Sequence, residues 1–166
     1  MAFQQQVNVE PALGVAGDFA SMNPTANTLA GEGALVAGAG GVTVGKFGWI
    51  QADGQTVLNA PPSGSKAAPD GFVHRDLTAQ IDNFYDEAGM VVPEGFMVSL
   101  YQAGDFFADT STAATRGQKI FASTTDGSVS TGAAGATVAG SVETKFYAAN
   151  ACAAGELVKI STWDHS

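Results

Sequence analysis

Val42-Thr43-Val44-Gly45-Lys46-Phe47-Gly48-Trp49-Ile50 decides the fold class of this chain. β-Branched and aromatic residues dominate it, and they fit a pleated surface better than a helix. Alternation puts Val42, Val44, Lys46 and Ile50 on one face, and Thr43, Phe47 and Trp49 on the other. Apolar residues stand on both faces, so the spacing predicts one strand over 42–50, covered on both sides. Upstream, Leu35-Val36-Ala37 is apolar and Gly38-Ala39-Gly40-Gly41 resets the backbone. Downstream, Asp53-Gly54 and the stretch from Asn59 to Gly71, with Pro61, Pro62 and Pro69, are turn and loop signals.

The same reading extends along the chain. Strands are expected at 71–75, 96–101, 105–108, 119–123, 142–148 and 156–162, and apolar Met90-Val91-Val92 leads into a turn. Pro93-Glu94-Gly95 and Thr125-Asp126-Gly127 supply turns, the second of hairpin type. Between 77 and 86 two readings stand. Leu77, Ile81, Phe84 and Tyr85 share one helical face, while Leu77, Ala79 and Ile81 also suit a continuing strand. Gly132 to Gly140 is a Gly/Ala-rich exposed loop. Short strands at this spacing, with no long amphipathic helix, make an all-β protein, either a β-sandwich or a barrel.

Residues 1–30 read differently. Pro11, Gly14, Gly17 and Pro24 interrupt any period, and a long stretch without regular structure is uncommon inside a compact domain. Spaced apolar residues suggest an extended arm that lies on another protein's surface, with 31–166 as a single β domain. Phe3, Val15, Phe19, Met22 and Pro24 are its candidate contacts. Ala16-Gly17-Asp18-Phe19-Ala20 is echoed by Ala103-Gly104-Asp105-Phe106-Phe107-Ala108. Five matched residues do not make a repeat, and a Gly-Asp turn anchored by Phe accounts for each copy.

Composition narrows the function. The 166 residues carry 16 acidic and 7 basic side chains, a net charge of −9, yet only 14% are charged and 45% are hydrophobic. Seven scattered cations are a poor match for nucleic acid, and ten Phe argue against an acidic disordered chain. No window supplies the roughly 18–20 consecutive apolar residues of a membrane span. The N-terminus lacks a signal peptide's basic and apolar regions. A low-charge surface rich in Gly and Ala suits an interface.

Catalytic motifs fail one by one. Gly40 to Lys46 has the spacing of a phosphate loop, but Phe47 stands where the motif needs a hydroxyl for Mg²⁺. Gly31-Glu32-Gly33 starts a dinucleotide fingerprint that Val36 ends. Ser63-Gly64-Ser65-Lys66 matches an acyl-transfer pattern, but between Pro-containing stretches and not on a helix. His74, His165 and the single Cys152 form no metal signature. Asp86-Glu87 is the sole acidic pair in sequence, and nothing marks a catalytic couple. Neither enzyme activity nor a cofactor or metal is expected, and Cys152 reads as a small apolar residue.

Several blocks resemble bacteriophage structural cement proteins, which decorate the outside of tailed-phage heads. They are Pro11-Ala12-Leu13-Gly14-Val15-Ala16-Gly17-Asp18-Phe19-Ala20-Ser21-Met22-Asn23-Pro24, Ala30 to Gly38, Val42 to Trp49, Gly71 to Arg75, Glu87 to Gly95, and Ala103 to Phe106. The resemblance covers most of 4–122 and is weaker beyond. It implies a jelly-roll-like or tulip-like β subunit that binds across joints between major capsid proteins on the outer capsid surface of the virion. It implies no catalysis. A homo-oligomer, dimer or trimer, would add avidity, and synthesis in the host cytoplasm follows. No nucleic acid or membrane partner is expected. Another virion subunit, such as a head-fibre base or tail component, and a carbohydrate-binding or hydrolytic β-sandwich are the competing readings.

Overall fold

A computed structural model describes residues 13–63, 67–76 and 89–163. All regular structure among them is β. Thirteen strands run in chain order: β1 (Ala26–Asn27), β2 (Val36–Ala37), β3 (Val42–Thr43), β4 (Phe47–Ile50), β5 (Thr56–Leu58), β6 (Gly71–Val73), β7 (Val91–Val92), β8 (Leu100–Ala103), β9 (Asp105–Asp109), β10 (Lys119–Ser123), β11 (Val129–Gly132), β12 (Ser141–Ala148) and β13 (Leu157–Ser161).

They form a six-stranded sheet ordered β1-β8-β6-β4-β5-β2, a five-stranded sheet ordered β11-β10-β12-β13-β9, and a small β3-β7 pair. Each sheet is open, so of the two architectures left by the sequence the sandwich is the one adopted. Pairing is antiparallel except between β2 and β5.

The six-stranded sheet is the middle layer, and its side-chain alternation feeds two cores. Phe47, Trp49 and Phe72 point into the first, where they meet Phe106, Ile120, Phe146, Val158 and Ile160 of the five-stranded sheet. Val57, Val73 and Leu100 point the other way, onto Val42, Val44, Val92 and Val98. Neighbours such as Phe72 and Val73 thus enter opposite cores, as period-two geometry requires. Edge-to-face rings, such as Phe47 against Phe72 at 5.4 Å and against Phe146 at 5.5 Å, fill the first core.

The single strand expected over 42–50 is two strands. Gly45 has φ +73°, a left-handed conformation that breaks the pleat, and a Cβ there would meet Ala16 at 2.8 Å. The face assignment nevertheless survives the break. Val42, Val44 and Ile50 pack in or against the second core, and Phe47 and Trp49 lie in the first. The strand expected at 96–101 starts only at Leu100, because 96–98 instead pair with the edge of β2. The strands near 105–108, 119–123, 142–148 and 156–162 form within a residue or two of expectation. The alternative helix or strand at 77–86 lies outside the described residues.

Thr125-Asp126-Gly127 turns between β10 and β11 and also locks the two large sheets together. Phe47 N–H donates to the Gly127 carbonyl at 2.9 Å. Gly127 has φ +69°, and a Cβ on it would collide with the Phe47 carbonyl oxygen.

Candidate interaction surface

The stretch expected to reach another surface is, from Leu13 onward, laid along the chain's own sheets. Its backbone extends the free edge of β9: Gly17 N–H donates to Phe107 O at 2.8 Å, Phe107 N–H to Asp18 O at 3.0 Å, and Ala20 N–H to Asp105 O at 2.9 Å. The two echoed segments therefore pair antiparallel with each other, Phe19 opposite Phe106. The bland reading of the echo holds in part: each Phe is an anchor, and Gly17 has φ +93°. What sequence could not show is that the copies are partners.

Side chains fasten the same stretch. The Phe19 ring lies 4.2 Å from His74 and 5.4 Å from both Tyr101 and Phe106. Arg75 pairs with Asp18 at 3.3 Å, and its N–H donates to Gly17 O at 3.0 Å. Ser21 Oγ and Asn23 Nδ2 both donate to Asp105 Oδ2, at 2.6 and 2.5 Å. β1 then pairs with β8, and Thr28 N–H donates to Leu100 O at 2.8 Å. Burial under the arm pushes the His74 pKa down, partly opposed by Asp18 and Asp76. Burial likewise raises that of Tyr101, with Asp76 adding to the effect.

Of the candidate contacts, Val15 and Phe19 are each 40% exposed, and Met22 and Pro24 face solvent. Phe3 lies outside the described residues. Phe19 spends much of its ring on its own domain, which leaves Val15, Met22 and Pro24 as the outward part of the set. Sequence reading missed a second apolar surface. Leu29 is 88% exposed and Met97 69%, and they flank a groove of about 300 Å³ floored by Leu35, Val98 and Leu100. Phe96 and Val91 are also exposed. The assignment of 96–101 to one strand hid this surface, although the Pro93-Glu94-Gly95 turn just before Phe96 was a usable signal.

The residues of the failed motifs are occupied structurally. Lys46 pairs with Asp126 at 2.8 Å and borders a cleft of about 310 Å³ lined by Ala16, Val44, Met90 and Val129. Burial opposes ionisation of Asp126, but Lys46 and hydrogen bonds from Ser123 and Ser128 outweigh it and hold the carboxyl well below the usual range. Cys152 is half-buried, packs against the first core and has its thiol pKa raised by burial, as a small apolar filler would. Lys66, Asp86, Glu87 and His165 lie outside the described residues. Among the described residues no three His, Cys, Asp or Glu side chains gather as metal ligands. No helix among them is long and apolar enough to cross a membrane.

What these surfaces share is apolar side chains turned outward from a rigid β scaffold, which suits protein–protein contact. Comparison with known proteins agrees with that. No curated protein matches the chain. Among solved structures it is similar to a chain of the capsid of Myoviridae phage XM1, with 18% identity over 98% of each chain and a TM-score of 0.61, so the two share a fold. The family model of the XM1 gp53 minor capsid protein matches residues 3–162, arm and domain together. The chain thus belongs to the XM1 gp53 minor capsid protein family, a family of phage capsid structural proteins.

Proposed function

We propose that this protein is a non-catalytic cement or decoration subunit of a phage head, bound on the outer surface across joints between major capsid proteins. The observation that carries the reading is the family match over residues 3–162, which takes in the apolar-spotted arm as well as the β domain. Attachment uses the arm, through Phe3, Val15, Met22 and Pro24, with Phe19 fixing the arm to β9. The acidic balance of −9 favours the side of the shell away from packaged DNA. A small homo-oligomer, dimer or trimer, lets several weak contacts act together.

Heads assembled without this protein, then incubated with wild type or with a chain carrying Val15→Ser and Met22→Ser, both exposed positions, provide the test. Wild type should decorate the outside at symmetry-related sites and raise the temperature at which heads rupture. The substituted chain should bind poorly while unfolding at the same urea concentration as wild type. An image reconstruction that placed the chain inside the shell, or at one vertex only, would replace this reading with that of another virion component.

A further inference from the structure

We propose that residues 13–30 are exchanged between neighbouring copies of this chain, so that the N-terminal stretch of one copy lines the β8–β9 edge of the next. This rests on the reading of the protein as a homo-oligomer and names the element that joins its copies. The stretch follows one continuous edge. Residues 17–20 bond to β9, β1 pairs with β8, and Thr28 N–H donates to Leu100 O at 2.8 Å. Only Gly104 separates β8 from β9, and these two strands belong to different sheets. A segment bound along this edge therefore fastens both large sheets of the molecule it lies on.

Three features suit this segment to exchange. It contributes little to the interior: among residues 13–30 only Ala16 and Gly17 are buried, and half-buried Ala30 touches the second core. Its other attachments are the edge hydrogen bonds, the Asp18–Arg75 pair, the bonds of Ser21 and Asn23 to Asp105, and the Phe19 ring on His74, Tyr101 and Phe106. A second copy offers the same partners in the same places. The link to the rest of the chain, Gly31-Glu32-Gly33-Ala34, is exposed at all four residues. Gly33 has φ +69°, and a Cβ there would have nothing within 4 Å, so this link can re-aim without disturbing either core. Exchange thus keeps the contacts between segment and edge and changes only the hinge. Between two copies it closes on itself. The edge stays covered, and Val15, Met22 and Pro24 stay outward, in either arrangement.

The experiment uses the full-length chain carrying Ala26→Cys, Ala103→Cys and Cys152→Ala. Ala26 and Ala103 are partners across β1 and β8, a cross-strand spacing that a disulfide can bridge. Isotope-labelled and unlabelled protein are refolded together, concentrated and oxidised. Exchange should give covalent oligomers on a non-reducing gel, and disulfide-linked peptides that join a labelled chain to an unlabelled one. Hinge length supplies a second measurement by sedimentation. Deleting Glu32 and Gly33 should leave a folded oligomer, because the stretch then fails to fold back on its own copy but still reaches a neighbour. Inserting about six Gly and Ser residues after Glu32 should shift the protein toward monomer.

Disulfides closed only within single chains, in a protein that sediments as an oligomer, would overturn exchange and leave the homo-oligomer reading intact. A wild type that sediments as a monomer at every concentration would overturn both. Should no disulfide form, the hinge deletion decides alone: a folded oligomer supports exchange, and a monomeric or unfolded chain ends it.

Discussion

Gly127 illustrates how much one backbone position can carry. Its positive φ and its contact with the Phe47 carbonyl join the β10–β11 turn to the middle sheet. Gly127→Ala should therefore cost about 2–4 kcal/mol, more than the conformational strain of an Ala alone, because the sheets must separate to admit the methyl group. Urea unfolding measures it. Met22, fully exposed, provides the contrast: Met22→Ala should change stability by less than about 0.5 kcal/mol while lowering attachment to heads. A similar loss of stability in both variants would contradict the division between scaffold and contact residues.

His74 makes the residue scale pH-dependent. Its folded-state pKa lies below the ordinary 6.5, chiefly because of burial. The folded protein then binds fewer protons than the unfolded chain, so this contribution is complete above about pH 6.5 and is lost as pH falls through the folded-state value. Asp126, also depressed, from an ordinary 3.8, adds a second decline of the same sign below about pH 3.8. Unfolding midpoints between pH 7 and 3 should show the first decline in wild type and not in His74→Phe.

Among elements, the N-terminal stretch is held mainly by edge hydrogen bonds to β9 and by the Phe19 ring. Phe19→Ala deletes a ring that touches His74, Tyr101 and Phe106 yet is partly exposed. The variant should lose about 1–2 kcal/mol, and amide exchange at residues 16–23 should rise well before exchange in β10, β12 or β13. Uniform loss of protection would mean that the arm is part of one cooperative unit. Which elements could be read from sequence follows from how local their causes are. β10 and β13 carry their own alternation and turn signals, and the opposite faces of Phe47 and Val44 were legible from period two. β1, β2 and the split at Gly45 were not legible. Two-residue strands have no period, and what bars a side chain at Gly45 is Ala16 of the N-terminal stretch, a neighbour distant in sequence.

At the scale of the whole molecule, a middle sheet shared by two cores couples them. Phe72 and Val73 are adjacent in β6 and serve one core each, so neither core can melt alone. Phe72→Ala should cost about 3–5 kcal/mol, and calorimetry should still show a single transition for the domain. Two resolved transitions would mean that the β3-β7 layer folds independently. The outward-facing residues were legible only where they interrupted an aperiodic stretch, as Val15, Met22 and Pro24 do. Leu29 and Met97 sit in segments whose exposure depends on how β1 and β8 pair.

The pairing of the arm with β9 also bears on solubility. A sheet edge left bare is a template for another molecule's strand. Here residues 17–20 occupy the outer edge of β9, residues 96–98 that of β2, and residues 110–112 that of β11. The remaining edge of the two large sheets, β1, is two residues long and preceded by Pro24, which has no N–H to offer. Edges covered in this way disfavour strand-to-strand pairing of the two large sheets with other molecules, a hazard for any β protein made in quantity. Removing residues 1–23 should uncover β9 and produce thioflavin-positive aggregates at concentrations where the full chain stays clear.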